Sequence, residues 1–579
     1  MRHFQTISRL GALLTLMTAT LCASGIGFSV GGYRAVLDSL NHVFLCSIPQ
    51  ELFGTTWAVT VEGDSACVIE TVDGQDSRDG AEVMLHDIQG GKLYPLTVVI
   101  DGQPTTSHLT FTWLPVMELD GEFGLEYTEG VVSLHSPDST GKSDMRAKLK
   151  WRGNHTVRPN RHKRNYSIKF LDKNGGKKDR SFFGLRKDNH WKLDAGQVDM
   201  LRIRNRVLAD LWLDMSTPVW YAESEPKAVN GSRGRIVEVI LNGKYEGIYN
   251  LMEPVDRKQL QLVKHDTINN EFHGQMWFVK RWCRTATMSQ PIDWSNYSPT
   301  WEGIEVEYPD FDEVNPTEWG TFADAVYFIR RTDDSDDWNA QADSLEYYFD
   351  VPVMEDYFIF ISVLQALDNE SKNIFYSTHD KADNPRLVMT PWDLDVSTGS
   401  LSFSNYTVEL VKPERPIKTW VSHIPMYGMF FLSDRHHAQI IDRYWQLRQS
   451  WFDTEALVAR FQRAVDELEQ CGAAAREEAR WDGDSDLTGK TLDISAEMEY
   501  IADWLRRRLA YLDTHEFARP LANDMNGDGE LNIADINALT DIILSTPTNL
   551  TGDVNGDGEV NIADLNALIE IILNQPRTE

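Results

Sequence analysis

The chain has 579 residues, of which 42% are hydrophobic, and a formal net charge of −32. This length exceeds one ordinary hydrophobic core and predicts several domains. The apolar content excludes a chain that is disordered throughout. A surface this acidic repels nucleic acid and anionic membranes, so we expect no nucleic-acid partner.

The first 24 residues have the pattern of a signal peptide. Arg2 and Arg9 precede an apolar run, and small residues follow near Ala23. We therefore expect a secreted or cell-surface protein, with lipid attachment at Cys22 as an alternative anchor. No later stretch is apolar for long enough to span a bilayer, so we expect no transmembrane segment in the mature chain.

Short segments rich in Val, Thr, Ile and Phe, separated by Asp and Gly turns, fill residues 25–115. This pattern predicts an Ig-like β-sandwich domain that serves as a spacer or as a binding module. Cys46 and Cys67 lie in this region and either pair after export or stay as buried free thiols. The chain has no CxxC pair, so we predict no zinc site.

Residues 116–517 form a second predicted domain, of the α+β class, with two lobes. An Asn242-Gly243 hairpin signal joins two apolar strands, and a mostly helical region then runs to Glu516. Protein kinases use this order for a small lobe that grips ATP and a larger helical lobe. The elements before the helical region are strands in 145–157 and 164–173, a helix in 199–215 and the strand pair in 235–256.

The stretch "ALDNESKNIFYS" has Asp368 followed five residues later by Asn373. In the kinase catalytic loop, the proton-accepting Asp and a metal-binding Asn have this spacing. A further carboxylate from a following strand end is needed to bridge the metal and the phosphates. "RLVMTPWDLD" supplies it, with Asp393 as first choice and Asp395 as the alternative.

These segments resemble the CotH family of spore-coat-type kinases over about residues 145–515. The motifs are "WRGN…KRNYSIKF", "LRIRNRVLADL", "LNGKYEGIYNLMEPVD", "LDNESKNIFY", "PWDLD…G" and "RRRLAYLD". The resemblance implies an atypical protein kinase that uses ATP with Mg²⁺ or Mn²⁺ and phosphorylates hydroxyls of a protein substrate.

Matched motif by motif, the resemblance implies that Asp368 is the catalytic Asp and that Asn373 and Asp393 bind the metal. No GxGxxG loop precedes Lys169, so "RGNHTV" takes the place of a phosphate loop. The remaining implied residues are Lys169 for phosphate, with Lys163 as the alternative; Arg152 and Gly153 near the nucleotide; and Met252 and Glu253 where a hinge meets adenine.

The region 518–579 contains an acidic repeat, "DMNGDGELNIAD" and then "DVNGDGEVNIAD", with an apolar helical pattern after each copy. Oxygen-bearing residues at loop positions 1, 3, 5, 7 and 12 fit Ca²⁺. Asp at position 12 resembles a dockerin type I module, which implies two Ca²⁺ and a cohesin-like partner. The predicted ligands are Asp524, Asn526, Asp528, Glu530 and Asp535, then Asp553, Asn555, Asp557, Glu559 and Asp564.

Two alternatives to the kinase remain open from the sequence. In the first, the kinase-like domain is a catalytically inactive scaffold or a carbohydrate-associated binding protein in a dockerin–cohesin assembly. The second is a glycosidase with paired carboxylates, but it leaves the ordered motifs unexplained.

Overall fold

The computed structural model divides the chain into two compact units, Met1–Leu509 and Ala510–Glu579. The predicted signal peptide and Cys22 lie outside the described residues. The structure describes residues 28–63, 67–100, 103–138, 142–290, 298–310, 319–401, 407–484, 490–519, 523–526, 530–545 and 552–574.

The N-terminal region is rich in β-strands, as predicted, and its strands pair into one continuous sheet in the order β6-β5-β8-β9-β3-β2-β1-β4-β7. Alternating side chains from these strands form one apolar core. Cys46 is a buried free thiol in that core, the second of the two outcomes expected for it. The strands are β1 (Phe28–Val30), β2 (Tyr33–Asp38), β3 (Val43–Ser47), β4 (Trp57–Gly63), β5 (Cys67–Val72), β6 (Gln75–Asp76), β7 (Glu82–Leu85), β8 (Tyr94–Ile100) and β9 (Gln103–Thr112).

Seven strands then close into a barrel in the order β10-β11-β12-β13-β14-β16-β15. The inward positions are apolar and pack together, while the outward positions carry most of the charged residues. Asn242 and Gly243 form the predicted hairpin turn, both with positive φ. The strands are β10 (Val116–Asp120), β11 (Thr128–His135), β12 (Met145–Arg152), β13 (Asn165–Phe170), β14 (His190–Asp194), β15 (Gly234–Leu241) and β16 (Lys244–Met252).

The prediction of a mostly helical chain after the barrel is wrong for one part, because five strands form a second sheet in the order β18-β19-β17-β20-β21. The central strand pairs with one about a hundred residues further along the chain, Gln275 with Thr378. The strands are β17 (Gln275–Val279), β18 (Thr300–Trp301), β19 (Ile304–Tyr308), β20 (Ile374–Thr378) and β21 (Val388–Pro391).

Helices provide the rest of this unit. The helix Val351–Leu364 begins with Pro352 in its first turn and is apolar on nearly all sides, so it lies within the core. The helices are α1 (Arg204–Met215), α2 (Gly320–Ser335), α3 (Trp338–Gln341), α4 (Val351–Leu364), α5 (Lys418–Val421), α6 (Met429–Leu432), α7 (Asp434–Arg448), α8 (Thr454–Gln470), α9 (Ala473–Trp481) and α10 (Ile494–Tyr511).

The C-terminal unit contains the two helices predicted after the repeats, α11 (Ile533–Leu544) and α12 (Ile562–Leu573). Each begins with a capping box, in which Asn532 or Asn561 caps the helix and an Asp three residues later bonds back. Within the described part of the chain, no helix is both long enough and apolar enough to cross a membrane.

Candidate functional site

Two predicted metal ligands meet at one end of the paired strands β20 and β21. Asn373 directly precedes β20, and Asp393 follows two residues after β21 ends, where Ile374 pairs with Pro391. Both residues adopt a left-handed backbone, with φ of 55° and 57°. Non-glycine residues in this region are strained and concentrate at functional sites. The two segments are also joined directly, since Asn373 Nδ2 donates to the Asp393 carbonyl at 3.4 Å.

The turn between Asp368 and Asn373 is fixed by a buried amide. Asn369 Nδ2 donates to the Trp392 carbonyl at 2.8 Å, and the Trp392 N–H donates to the Asn373 carbonyl at 2.9 Å. This crossed hydrogen bonding attaches the predicted catalytic loop to the segment that contains Asp393. The loop and the strand end therefore move as one piece.

The same segment is linked to the barrel through α1. Leu394 N–H donates to Asn205 Oδ1 at 3.1 Å, and Asn205 Nδ2 donates to Asp194 Oδ2 at 2.8 Å. Asp194 is the last residue of β14, so a barrel strand end contributes a further carboxylate. We call Asp194, Asp368, Asp393 and Asp395 the acid cluster.

The carboxylates of the acid cluster repel one another. Burial, and then Asp194, raise the pKa of Asp393 to about 6, although Arg152 and Lys372 oppose the shift. Burial, and then the charge of Asp393, raise the pKa of Asp395 well above its usual range. Carboxyl groups held this close favour either a proton or a cation between them.

Lys372 lies inside this cluster, although the sequence did not single it out. Its ammonium forms an ion pair with Asp368 Oδ2. Burial alone would lower the pKa of Lys372, but the charges of Asp368, Asp393 and Asp395 raise it. The ammonium therefore stays charged and belongs to the electrostatics of the site.

Cations from the barrel border the acid cluster on one side. Arg152, at the end of β12, has its guanidinium 5.4 Å from the ring centre of Trp392 and close enough to Asp393 to lower its pKa. Gly153 follows with φ of 100°, and a Cβ there would lie 2.6 Å from Thr156 Oγ1. Glycine is therefore required for the turn after Arg152.

Lys169 lies on the outer face of β13, among other cations. It is directly opposite Lys148 on β12 and His190 on β14, and its ammonium lies 4.8 Å from the Tyr127 ring centre. Burial, and then Lys150, lower its pKa. Like charges facing each other across strands are unfavourable without an anion.

Lys192 on β14 is a second candidate for phosphate contact that sequence reasoning missed. Its ammonium donates to Ser167 Oγ at 3.3 Å. Burial, and then the charge of Arg152, lower its pKa to about 7. Since Arg152 is near both Lys192 and Asp393, the barrel cations are continuous with the acid cluster.

Lys163, the alternative phosphate lysine, is fully buried and has other partners. Its ammonium donates to Glu477 Oε1 at 2.7 Å and to the Ile248 carbonyl at 2.8 Å. Arg202 Nε donates to the same Glu477 oxygen at 2.7 Å. These contacts attach α9 to the barrel, and they give Lys163 a structural role.

The predicted hinge residues end β16. Met252 is buried and lies opposite Lys192 in the paired strands. Glu253 is also buried, and its carboxylate accepts from Arg233 Nε at 2.9 Å and from Gln259 Nε2 at 2.9 Å. The Glu253 side chain therefore holds the strand end in place.

Among the described residues, no group of three or more His, Cys, Asp or Glu side chains has the geometry of a metal site. The oxygens of Asn373, Asp393 and Asp395 nevertheless have the chemistry that Mg²⁺ and Mn²⁺ prefer. The mutual repulsion within the acid cluster is the feature that a divalent cation would relieve.

In the C-terminal unit, the carboxylates at loop position 12 bond to backbone N–H groups. Asp535 accepts from Met525 and Asn532, each at 2.7 Å, and Asp564 repeats the pattern with Val554 and Asn561, each at 2.8 Å. Asp528 lies outside the described residues. Asp524, Asn526 and Glu530 lie in the first loop.

The second loop is described throughout and is closed by its own side chains. Asp553 Oδ2 accepts from the Gly558 N–H at 2.9 Å, and Asn555 Oδ1 accepts from the Asp557 N–H at 2.8 Å. Asp557 Oδ1 in turn accepts from the Glu559 N–H at 2.9 Å. The acidic side chains thus surround a tight turn, as in a Ca²⁺-binding loop.

The barrel, the strained loop and the adjoining charges define a mixed α+β protein with a charged site beside the barrel. A family model described as CotH kinase protein matches residues 149–512. This is more than half of the chain, which therefore belongs to the CotH kinase family. No curated protein matches it.

The structure thus brings Asp368, Asn373, Asp393 and Asp395 together, with Arg152 beside them. Sequence reasoning missed Asp194 and Lys192, although "HWKLD" ends a strand with an acid, as "VMTPWDLD" does. Lys372 lies within the motif "LDNESKN". The sequence therefore showed a positive charge there, but not that its side chain pairs with Asp368.

Proposed function

We propose that this chain is a CotH-type protein kinase that depends on ATP and on Mg²⁺ or Mn²⁺. It transfers the γ-phosphoryl group to a hydroxyl of a protein substrate. The observation that carries the proposal is the convergence of Asp368, Asn373 and Asp393 from separate segments, with Arg152 next to them. This arrangement combines a base, oxygen ligands and a phosphate-binding cation within one site.

Each residue has a role that follows from its place. Asp368, whose side chain is 21% exposed, accepts the proton of the substrate hydroxyl. Arg152 and Lys192 neutralise phosphate charge from the barrel side, and Lys169 extends this positive face along β13. The hydrogen bond from Asn373 to Asp393 keeps the metal-binding oxygens in register, which is the positioning that phosphoryl transfer requires.

Asn373 and Asp393 would hold the metal, with Asp395 as a further ligand. When bound, the divalent ion supplies positive charge that offsets the phosphate oxygens in the transition state. The strand end at Met252 and Glu253 would contact adenine through its backbone, and the pairing of Met252 with Lys192 supports this place for it.

The direct test is incubation of the purified chain with γ-labelled ATP and Mn²⁺, using the chain itself and an acidic protein as acceptors. We expect label on protein from the natural sequence and none from Asp393→Ala. A matched control is Asp503→Ala, which removes a carboxylate that is 67% exposed on α10. Absence of nucleotide binding in calorimetry with either metal would reject the proposal.

We further propose that the C-terminal unit is a dockerin type I module that binds two Ca²⁺ and attaches an exported chain to a cohesin-like partner. The closed second loop, and the matching contacts of Asp535 and Asp564, support this. Calorimetry should give two Ca²⁺ per chain. A count of zero or one contradicts the proposal.

The scaffold alternative makes a different prediction for the same protein. A catalytically silent chain would retain the Ca²⁺-dependent partner and show no ATP turnover. A hit on a glycan array together with absent turnover would favour that function over the kinase.

A further inference from the structure

Lys372 places a positive charge next to the carboxylates of the acid cluster. Its ammonium is paired with Asp368, and the next residue along the chain, Asn373, donates its Nδ2 to the Asp393 carbonyl at 3.4 Å. The side chain is 30% exposed, so it can change partner without breaking the core. It extends from the residue just before Asn373, within the loop that the family match covers.

Lys372 supplies positive charge from the loop side of the acid cluster, which contains four carboxylates. Arg152 borders the cluster from the barrel side, where its guanidinium lies 5.4 Å from the Trp392 ring centre. Arg204 on α1 donates to the Asp395 carbonyl at 3.5 Å. Because Lys372 is paired with Asp368 within the loop itself, its removal would make the loop side of the cluster more negative by one charge.

We propose that Lys372 is the internal counter-charge of the acid cluster and competes with the divalent metal for it. This inference rests on the proposed metal site. The ammonium stabilises the cluster while no metal is bound, and it lowers the affinity for metal alone. Nucleotide phosphates add ligands and negative charge, so metal and nucleotide bind together more readily than metal by itself. Lys372 is thereby a positioning residue that makes metal occupancy depend on nucleotide.

The test is Mn²⁺ binding by calorimetry to the full chain without nucleotide, with the C-terminal loops already filled by Ca²⁺. We expect Lys372→Gln to bind Mn²⁺ about tenfold more tightly than the natural chain, because one unit of nearby positive charge is lost. Lys372→Arg keeps the charge and should match the natural chain. Lys92→Gln is the control for the same charge change, since Lys92 contacts the His86 carbonyl in the N-terminal sheet.

The outcomes separate this inference from the proposed function. If Asp393→Asn binds Mn²⁺ as well as the natural chain does, the acid cluster is not the metal site and both fail. If Asp393→Asn loses Mn²⁺ but Lys372→Gln binds it no more tightly than the natural chain, only the counter-charge role is overturned.

A second measurement needs no variant and guards against a misfolded one. Lysine acetylation of the natural chain, followed by mass spectrometry, reports how available the Lys372 ammonium is. We expect its labelling rate to rise when Mg²⁺ and a non-hydrolysable ATP analogue are added, while that of Lys92 stays constant. An unchanged or lower rate at Lys372 contradicts the proposal.

Discussion

Carboxylates are treated in opposite ways in the two units. In the acid cluster, burial and neighbouring carboxylates raise the pKa of Asp393 and Asp395. In the C-terminal unit, burial alone would raise the pKa of Asp535, but the N–H groups of Asn532, Asn526 and Met525 lower it. Asp564 follows the same pattern. One set of acids is held against repulsion by the fold, and the other is stabilised by its own backbone.

Because their carboxylates are held differently, the two regions depend on a cation in different ways. The acid cluster is held by paired strands and by Asn205 and Asn369, so its geometry survives without metal. The tail loops are short, acidic and largely exposed, and a Ca²⁺ would contribute directly to their folding.

The largest difference between the two regions should be the effect of a substitution on phosphoryl transfer. Asp393→Asn should lower phosphoryl transfer by about 1000-fold, because one charge at the metal and phosphate is lost. Asp564→Asn should change it by no more than about twofold, since Asp564 belongs to a separate compact unit. Initial rates with γ-labelled ATP give both values. An equal loss in both variants would erase the contrast.

Buried charge should matter more for stability than exposed charge. Glu477→Gln leaves Lys163 and Arg202 without their shared carboxylate and should lower the free energy of unfolding by about 3 kcal/mol. Glu455→Gln breaks the surface pair with Arg506, where Glu455 is 68% exposed, and should cost about 0.5 kcal/mol or less. Unfolding by denaturant in the presence of Ca²⁺ measures the free energy of unfolding of both variants. Equal midpoints would show that the buried network contributes nothing.

Removal of Ca²⁺ should loosen the tail and spare the charged site. With a chelator, amide exchange in α11 and α12 should accelerate by about 100-fold, the effect of losing a ligand at about 100 times its Kd. Exchange in β20 and β21 should stay constant. Hydrogen exchange with mass spectrometry resolves the segments, and protection of the tail without Ca²⁺ would show that its loops fold unaided.

The pH dependence of stability should expose the repulsion at Asp393. Its folded-state pKa of about 6 lies above the ordinary value of 3.8, so the folded chain binds this proton more tightly than the unfolded chain. Ionisation therefore destabilises the metal-free fold progressively as the pH rises from about 4 to about 6, and the cost vanishes below about pH 3, where the carboxyl is mostly protonated in both states. Metal-free Asp393→Asn should melt about 2 °C higher than the natural chain at pH 8 and equally at about pH 3. A variant that melts lower at pH 8 would contradict this.

Local sequence was enough to predict the parts of the site that lie close together in the chain. Asp368 and Asn373 are five residues apart. Asp393 follows β21, which pairs with β20, the strand that begins directly after Asn373. Lys163 is an alternative for phosphate in the sequence because it flanks the same strand as Lys169. Its partner Glu477 lies 314 residues away, and spacing cannot show such a contact.

The five-stranded sheet was missed for the same reason, because β17 pairs with β20 across a long helical insertion. Its strands are short and apolar, and periodicity alone does not distinguish them from buried helix. Asp194 is linked to the Asp393 segment through Asn205, a contact that depends on how α1 packs beside the barrel.

The central claim is that Asp368, Asn373 and Asp393 surround one metal beneath a nucleotide. A crystal structure with Mn²⁺ and a non-hydrolysable ATP analogue tests it directly, because Mn²⁺ gives an anomalous signal. We predict an anomalous peak in contact with Asn373 and Asp393, with the γ-phosphate facing Asp368. Peaks confined to the loops at Asp535 and Asp564, with no nucleotide beside Arg152, would contradict it.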